Sequence, residues 1–244
     1  MQRMSMGLTA VAVLVLASGA FAQGQGRGAG APQGQAAGGR GAAADAATRP
    51  GLLFKEDWKQ PPYTGQLNDE NRRVTQAAVT SPSLELKLYG AQAREIGVYN
   101  HEGRMDLWTG MANSPVAIML RDKNNAIDLS GLSRLRAIVR TSNLHVLHPA
   151  LKLADGTLVA GSQTIDTNGE FLSTEVSFNN QRWFKLDPEK VTTTTEVKTP
   201  DLAKVEEVGF VNLMPSGGHG SAGWANISSL ELYAKPAPRA PGTK

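Results

Sequence analysis

Leu84-Glu85-Leu86-Lys87-Leu88 sets three leucines on one side of an extended chain and two charged residues on the other, because successive side chains of a strand leave on opposite faces. The same period of two runs through Leu135-Arg136-Ala137-Ile138-Val139-Arg140, where Ile138 alone interrupts the polar face. It recurs where Leu172, Thr174, Val176 and Phe178 oppose Ser173, Glu175 and Ser177, and where Leu230, Leu232 and Ala234 oppose Ser229, Glu231 and Tyr233. Shorter extended candidates lie at 72–79, 105–109, 116–121, 149–153, 183–186 and 205–213. Turn signals such as Ser81-Pro82, Glu102-Gly103 and Asp155-Gly156 separate them. Asp155-Gly156 between two apolar runs predicts a two-residue hairpin loop. Helical signal is confined to single turns opened by Asp128 and Asp201. Many short, half-apolar strands joined by polar links predict an all-β chain folded as two packed antiparallel sheets.

Working outward, the pattern stops at both ends. Met1–Ala22 has a basic start at Arg3, an apolar run from Leu8 to Leu16 and a close in Ala20-Phe21-Ala22. This order reads as a secretory signal cleaved after Ala22, which places the mature protein in the periplasm or outside a bacterial cell. The apolar run is too short to span a bilayer, and no later stretch approaches the required length, so no membrane span is expected in the mature chain. Gln23–Arg49 holds eight Gly, one Pro and no large apolar side chain, so it is expected to be a flexible tether. Lys235–Lys244, with three Pro, reads as a flexible tail. One domain of 185 residues, Pro50–Ala234, remains. The absence of Cys from all 244 residues excludes a disulfide framework, thiolate metal sites and cysteine nucleophiles.

The whole chain carries a net charge of +3, but seven basic residues and only one acidic residue lie in the two end segments. The folded part keeps 18 basic and 21 acidic residues. A groove for nucleic acid needs a local excess of Lys and Arg, so nucleic acid is not an expected partner.

Three stretches resemble the galactose-binding-like jelly-roll superfamily, which includes many carbohydrate-binding modules. Leu53-Phe54-Lys55-Glu56-Asp57-Trp58 is similar to the acidic opening strand of such modules. Ile127-Asp128-Leu129-Ser130-Gly131-Leu132-Ser133-Arg134-Leu135-Arg136 is similar to their approach to a central strand. Val205-Glu206-Glu207-Val208-Gly209-Phe210 and Trp224 through Tyr233, on either side of a Gly-rich loop, match the closing pair. The resemblance implies a jelly-roll sandwich whose last strand returns beside the first, a carbohydrate ligand, and a structural calcium near those two strands. Carried over by position, the calcium ligands would be Glu56 or Asp57 and Glu231, carboxylates being the hard oxygen donors that this ion prefers. Ser228-Ser229 stand where the family often has acids.

A sugar offers apolar C–H faces ringed by hydroxyls, so its site needs flat aromatics beside fixed hydrogen-bonding groups. In Arg104-Met105-Asp106-Leu107-Trp108 the alternation puts Trp108 on one face with Arg104 and Asp106. Trp183 shares a face with Gln181 and Lys185. Met214 to Trp224 packs four Gly into eleven residues and brings His219 and Trp224 to a loop whose backbone can approach a ligand. Arg134, Arg136 and Arg140 alternate outward and belong to the same candidate face. The expected ligand contacts are therefore Arg104, Asp106, Trp108, Trp183, His219 and Trp224, for a carbohydrate or another neutral small molecule.

Catalytic patterns are absent: no H-E-x-x-H, no G-x-S-x-G, and adjacent Glu206-Glu207 belong to opposite strand faces. Glu102 and Asp106, near Trp108, remain a conceivable carboxylate pair. The chain thus reads as a non-catalytic binding module, with a glycan hydrolase or a structural domain of the cell envelope as alternatives.

Overall fold

Alternating apolar residues can be buried only if two sheets turn their apolar faces toward each other, and that is the arrangement in the computed structural model, which describes residues 49–142, 144–166, 169–217 and 222–239. The signal segment and most of the Gly-rich segment lie outside the described residues, as does His219. The strands are β1 (Leu52–Asp57), β2 (Leu84–Tyr89), β3 (Gly97–His101), β4 (Arg104–Trp108), β5 (Val116–Asp122), β6 (Ala126–Asp128), β7 (Arg134–Thr141), β8 (Leu147–Leu153), β9 (Leu158–Gly161), β10 (Leu172–Ser177), β11 (Trp183–Leu186), β12 (Thr193–Val197), β13 (Val205–Asn212), β14 (Ala225–Tyr233) and β15 (Lys235–Ala237). Among the described residues, helical structure is limited to two single 3-10 turns, at Gln76–Ala78 and Ala93–Glu95. No helix there is long and apolar enough to cross a membrane.

One sheet of six strands runs β10-β7-β14-β4-β3, with β1 also on β14. The other runs β12-β11-β9-β8-β13-β5-β2, with β6 also on β13 and β15 on β6. All pairings are antiparallel, and the last long strand lies against the first, with Glu56 opposite Leu230 and Lys55 opposite Glu231. The predicted all-β, two-sheet sandwich is therefore the observed fold. Val98, Leu107, Leu135, Val139 and Ile227 of the first sheet meet Ile118, Leu120, Leu151, Val208 and Phe210 of the second in one buried core. Each such side chain contributes about 1.5–3 kcal/mol by leaving water.

Three details depart from the sequence reading. The β8–β9 hairpin forms, but its loop is Ala154-Asp155-Gly156, since Leu153 N bonds the Thr157 carbonyl at 2.9 Å. Gly156 takes a φ of 86°, while Asp155 is not among the positive-φ residues and accepts from Thr157 N at 2.9 Å. A one-residue αL position suits this longer loop, whereas a two-residue loop needs two. Residues 72–79 do not form a continuous strand, because Thr75 accepts from Ala77 N and opens a 3-10 turn. Finally, the expected flexible tail is ordered where it begins. Lys235–Ala237 pairs with β6, and Arg239 bonds Glu206 at 2.9 Å and the carbonyls of Asp122, Lys123 and Asn125 at 2.6, 2.9 and 2.8 Å.

Candidate functional site

The outer face of the six-stranded sheet carries a row of side chains at one level. Gly97, Trp108, Asn226 and Arg140 are successive cross-strand neighbours on β3, β4, β14 and β7. With strands about 4.8 Å apart, Trp108 and Arg140 stand roughly 10 Å apart across the sheet. Trp224 precedes Asn226 by two residues and so belongs to the same face. The β3–β4 hairpin that starts the row closes through Glu102 and Gly103, both at positive φ, 55° and 77°, as a two-residue type I′ loop requires.

Two glycines make space for the rings. A Cβ on Gly97 would come within 2.3 Å of the Tyr99 ring, and one on Gly110 within 2.0 Å of the Trp108 ring. The Trp108 indole lies edge-on to Tyr99, with centroids 4.8 Å apart at 80°, and His101 stacks on Tyr99 at 5.8 Å while lying 6.5 Å from Trp108. Tyr99 donates to Asp69 at 3.1 Å, and burial together with that carboxylate pushes its phenol pKa up to about 12. At the far end the Arg140 guanidinium lies 4.8 Å from the Trp224 ring and 4.6 Å from Phe171. It also donates to Glu102 at 3.1 Å and to Asn226 at 3.4 Å. Both indoles stay half-buried, with part of each ring open to solvent.

Asp106 corrects an expectation. It shares the Trp108 face as predicted, yet its exposure is 0%. His101 Nδ1 donates to it at 2.8 Å, and the Asn226 amide donates to its other oxygen. A carboxylate covered in this way has no direction left for a ligand. It orients His101, which stays partly exposed beside the row, and Asn226, which is itself fully enclosed. Trp183 is a second correction. It is 2% exposed and packs in the core between the sheets, because β11 pairs Trp183 with Gly161 on β9 and Val197 on β12. Phe184 is the residue that turns outward, under the Arg182 guanidinium at 5.5 Å.

Trp108 and Trp224 are thus brought together, and Arg104 is exposed at the strand end opposite His101. Sequence reasoning passed over Tyr99, His101, Phe171 and Asn226. The hairpin signal at Glu102-Gly103 would have given the first two, since a two-residue loop fixes His101 opposite Arg104 and Tyr99 opposite Asp106. Of the three outward arginines, only Arg140 joins the row. Arg134 stacks on Tyr233 at 4.1 Å and pairs with Glu175 at 3.0 Å, and Arg136 lies 3.6 Å from Glu231.

The proposed calcium ligands do not fit an ion. Glu56 points into the sandwich, fully enclosed, and accepts from Thr80 N, Thr80 Oγ1 and Ser81 N at 2.6, 2.7 and 3.0 Å. Asp57 lies on the opposite face of β1, paired with Lys55 at 2.8 Å, and Glu231 accepts from Tyr233 at 2.9 Å. The three carboxylates share no point, and among the described residues no group of three His, Cys, Asp or Glu converges.

Below the described part of the Gly-rich loop, buried His145 accepts from Asn212 at 3.0 Å, and Asn212 also donates to Thr109 at 3.2 Å. Gly223, at φ 107°, is required here, because a Cβ would meet the His145 ring at 2.5 Å. Burial holds the pKa of His145, and of His148 on β8, below the ordinary imidazole value. Below about pH 6.5 the unfolded chain therefore binds protons that the folded chain refuses, and stability falls as pH falls. We expect denaturant midpoints to drop between pH 7 and 5, by at most about 1.4 kcal/mol per pH unit per histidine. His145→Gln should flatten the slope, and a midpoint independent of pH in that window would contradict the assignment.

No family model matches the chain, and no curated protein matches it. Among solved structures, PfGH50B is 13% identical over 65% of this chain and 23% of its own length, with a TM-score of 0.39. The family 11 carbohydrate-binding module of the cellulosomal cellulase Lic26A-Cel5E of Clostridium thermocellum is 12% identical, over 64% of this chain and 85% of that one, at a TM-score of 0.36. An exo-β-agarase is 11% identical, over 66% and 24% respectively, also at 0.36. The chain spans about a quarter of PfGH50B and of the agarase. Likeness at this level places the chain in no family, and its fold class rests on its own strand register.

Proposed function

We propose that the chain is an exported carbohydrate-binding module that holds a neutral sugar on the outer face of the six-stranded sheet without turning it over. One observation carries this reading: two half-buried indoles share one face with polar groups held beside them, the Arg140 guanidinium 4.8 Å from the Trp224 ring and the His101 ring 6.5 Å from Trp108. Aromatic faces take the C–H side of a sugar ring, while oriented donors and acceptors take its hydroxyls. Asp106 and Glu102 favour holding over turnover, the first being enclosed and the second tied to Arg140 at 3.1 Å. The basic–apolar–small order of Met1–Ala22 supports export, with Gln23–Arg49 left as the tether.

The test takes the secreted protein, whose mass should begin at Gln23, and screens it against plant, bacterial and host glycans before calorimetry on the best ligand. Trp108→Ala and Trp224→Ala should each weaken binding about tenfold or more, as loss of a central aromatic anchor does. Their unfolding midpoints should stay near the parent's, because both rings are partly exposed. Binding to no glycan, or equal affinity in both variants, would sink the proposal.

A further inference from the structure

The outer face of the nine-stranded sheet holds a second concavity, and a bulge creates it. Regular alternation puts Glu206 and Glu207 on opposite faces, but the register of β13 against β8 shifts between Val205 and Glu207. A bulge turns neighbouring side chains to the same side, and both carboxylates line one cavity with Lys87, Arg121 and Lys152. Lys152 and Gly156 also line the adjoining groove of about 400 Å³, whose other walls include Tyr89, Leu158, Lys185 and Leu186.

The charges in this concavity are layered. Glu206 and Glu207 retain only 6% and 2% of their side-chain surface. Each is met within the protein: Glu206 by Arg239 at 2.9 Å and Arg121 at 3.4 Å, Glu207 by Tyr89 Oη at 2.8 Å and Lys152 at 3.2 Å. Lys87 and Lys152 each keep 32% of theirs, and Lys185 is exposed. Glu85 and Asp155 lie at the margins, bonded to Lys87 at 2.6 Å and to Thr157 N at 2.9 Å. What a ligand meets is therefore ammonium groups above buried, neutralised carboxylates. Lys152 lies 5.8 Å from the centre of the Tyr89 ring, beside the apolar wall of Leu158 and Leu186. Burial, with Glu207 beside it, raises the Tyr89 pKa, so the phenol stays protonated as a donor.

We propose that this groove is a second binding site that takes an anionic sugar ring, its carboxylate or sulfate held by Lys152 and Lys185 and its apolar face set against Tyr89 and Leu158. The choice of a sugar ring rests on the carbohydrate-binding reading above, whereas the preference for an anion rests on the lysine layer alone. The full chain, labelled with nitrogen-15, is titrated with galacturonate, with galactose 6-sulfate and with neutral methyl galactoside, while backbone amide shifts are followed.

At least one anionic sugar should move the amides of Lys152, Gly156 and Lys185, and the neutral sugar should not move them at equal concentration. The carboxylate and sulfate arms tell which anion the groove prefers, and a response to either supports the site. Lys185→Ala should weaken the response about tenfold, the size expected for a lost charge-assisted contact, and Lys185→Glu should abolish it. Both substitutions lie at an exposed position, so folding is preserved. Raising salt should weaken binding by screening, and Trp108→Ala should leave it unchanged. No response to either anion up to about 50 mM, where even affinities of a few kcal/mol show, would overturn the proposal, as would an equal response to the neutral sugar. Shifts confined to the Trp108 face would overturn it while leaving the first site standing. Failure of the Trp108 variants to affect neutral glycans would do the reverse.

Discussion

Trp183→Ala should lower the unfolding free energy by about 3–5 kcal/mol, the range for removing a large aromatic from a closed core. For a domain of this size that corresponds to a melting temperature lower by roughly 6–20 °C. The cause is geometric: the indole is enclosed between the sheets and fixed by pairing on both sides of β11, so nothing can collapse into the space it leaves. Urea denaturation should show a lower midpoint at unchanged slope. Below its melting point the variant should bind glycans as the parent does. A variant of parental stability with weakened binding would make Trp183 a ligand contact and refute its place in the core.

Glu56→Ala should be nearly as costly, by about 3 kcal/mol or more. The carboxylate bridges β1 to the Thr80-Ser81 segment through three donors, and deleting it leaves buried N–H groups without an acceptor, at about 1–3 kcal/mol each. Glu56→Gln retains one carbonyl oxygen but turns an NH₂ toward donors, so an intermediate loss is expected. The same residue separates a hydrogen-bonded strut from a calcium ligand. An ion bound only by the folded state would raise its stability, so a chelator should leave the melting temperature of the parent unchanged. If chelator lowered the parent but not Glu56→Ala, Glu56 would hold an ion after all.

The sandwich was legible because several of its strands alternate apolar and polar residues in sequence. β2, β7, β10 and β14 announce themselves by alternation. β12 does not: Thr193, Thr194 and Thr195 are all exposed on an edge strand, and a strand with no buried face has no apolar period to read. β15 was hidden by its proline, which an edge pairing tolerates. At the candidate site, alternation gave the direction of Trp108 and Asp106 correctly but not their depth. Depth comes from neighbours distant in sequence, and Asn226 covers Asp106 from a strand 120 residues away. Trp183 was misread because the pattern does not tell which face of β11 meets the other sheet, and Trp183 lies on the face that does, with Val197 across from it. The bulge at Glu206-Glu207 defeated the same rule in the other direction, joining carboxylates that strict pleating would separate.

Arg239 lies beyond the last long strand, yet it caps three carbonyls of the β5–β6 turn and neutralises Glu206. If this unit is shuffled between larger proteins as a cassette, its outer border falls after Arg239 and not at Ala234. A fusion joined at Ala234 would carry every residue of the aromatic row and still lose a counter-ion from beneath the lysine-lined groove. The two faces would then part company in inheritance: the aromatic row travels with the sandwich, while the charged concavity would keep Arg121 beside Glu206 but lose Arg239.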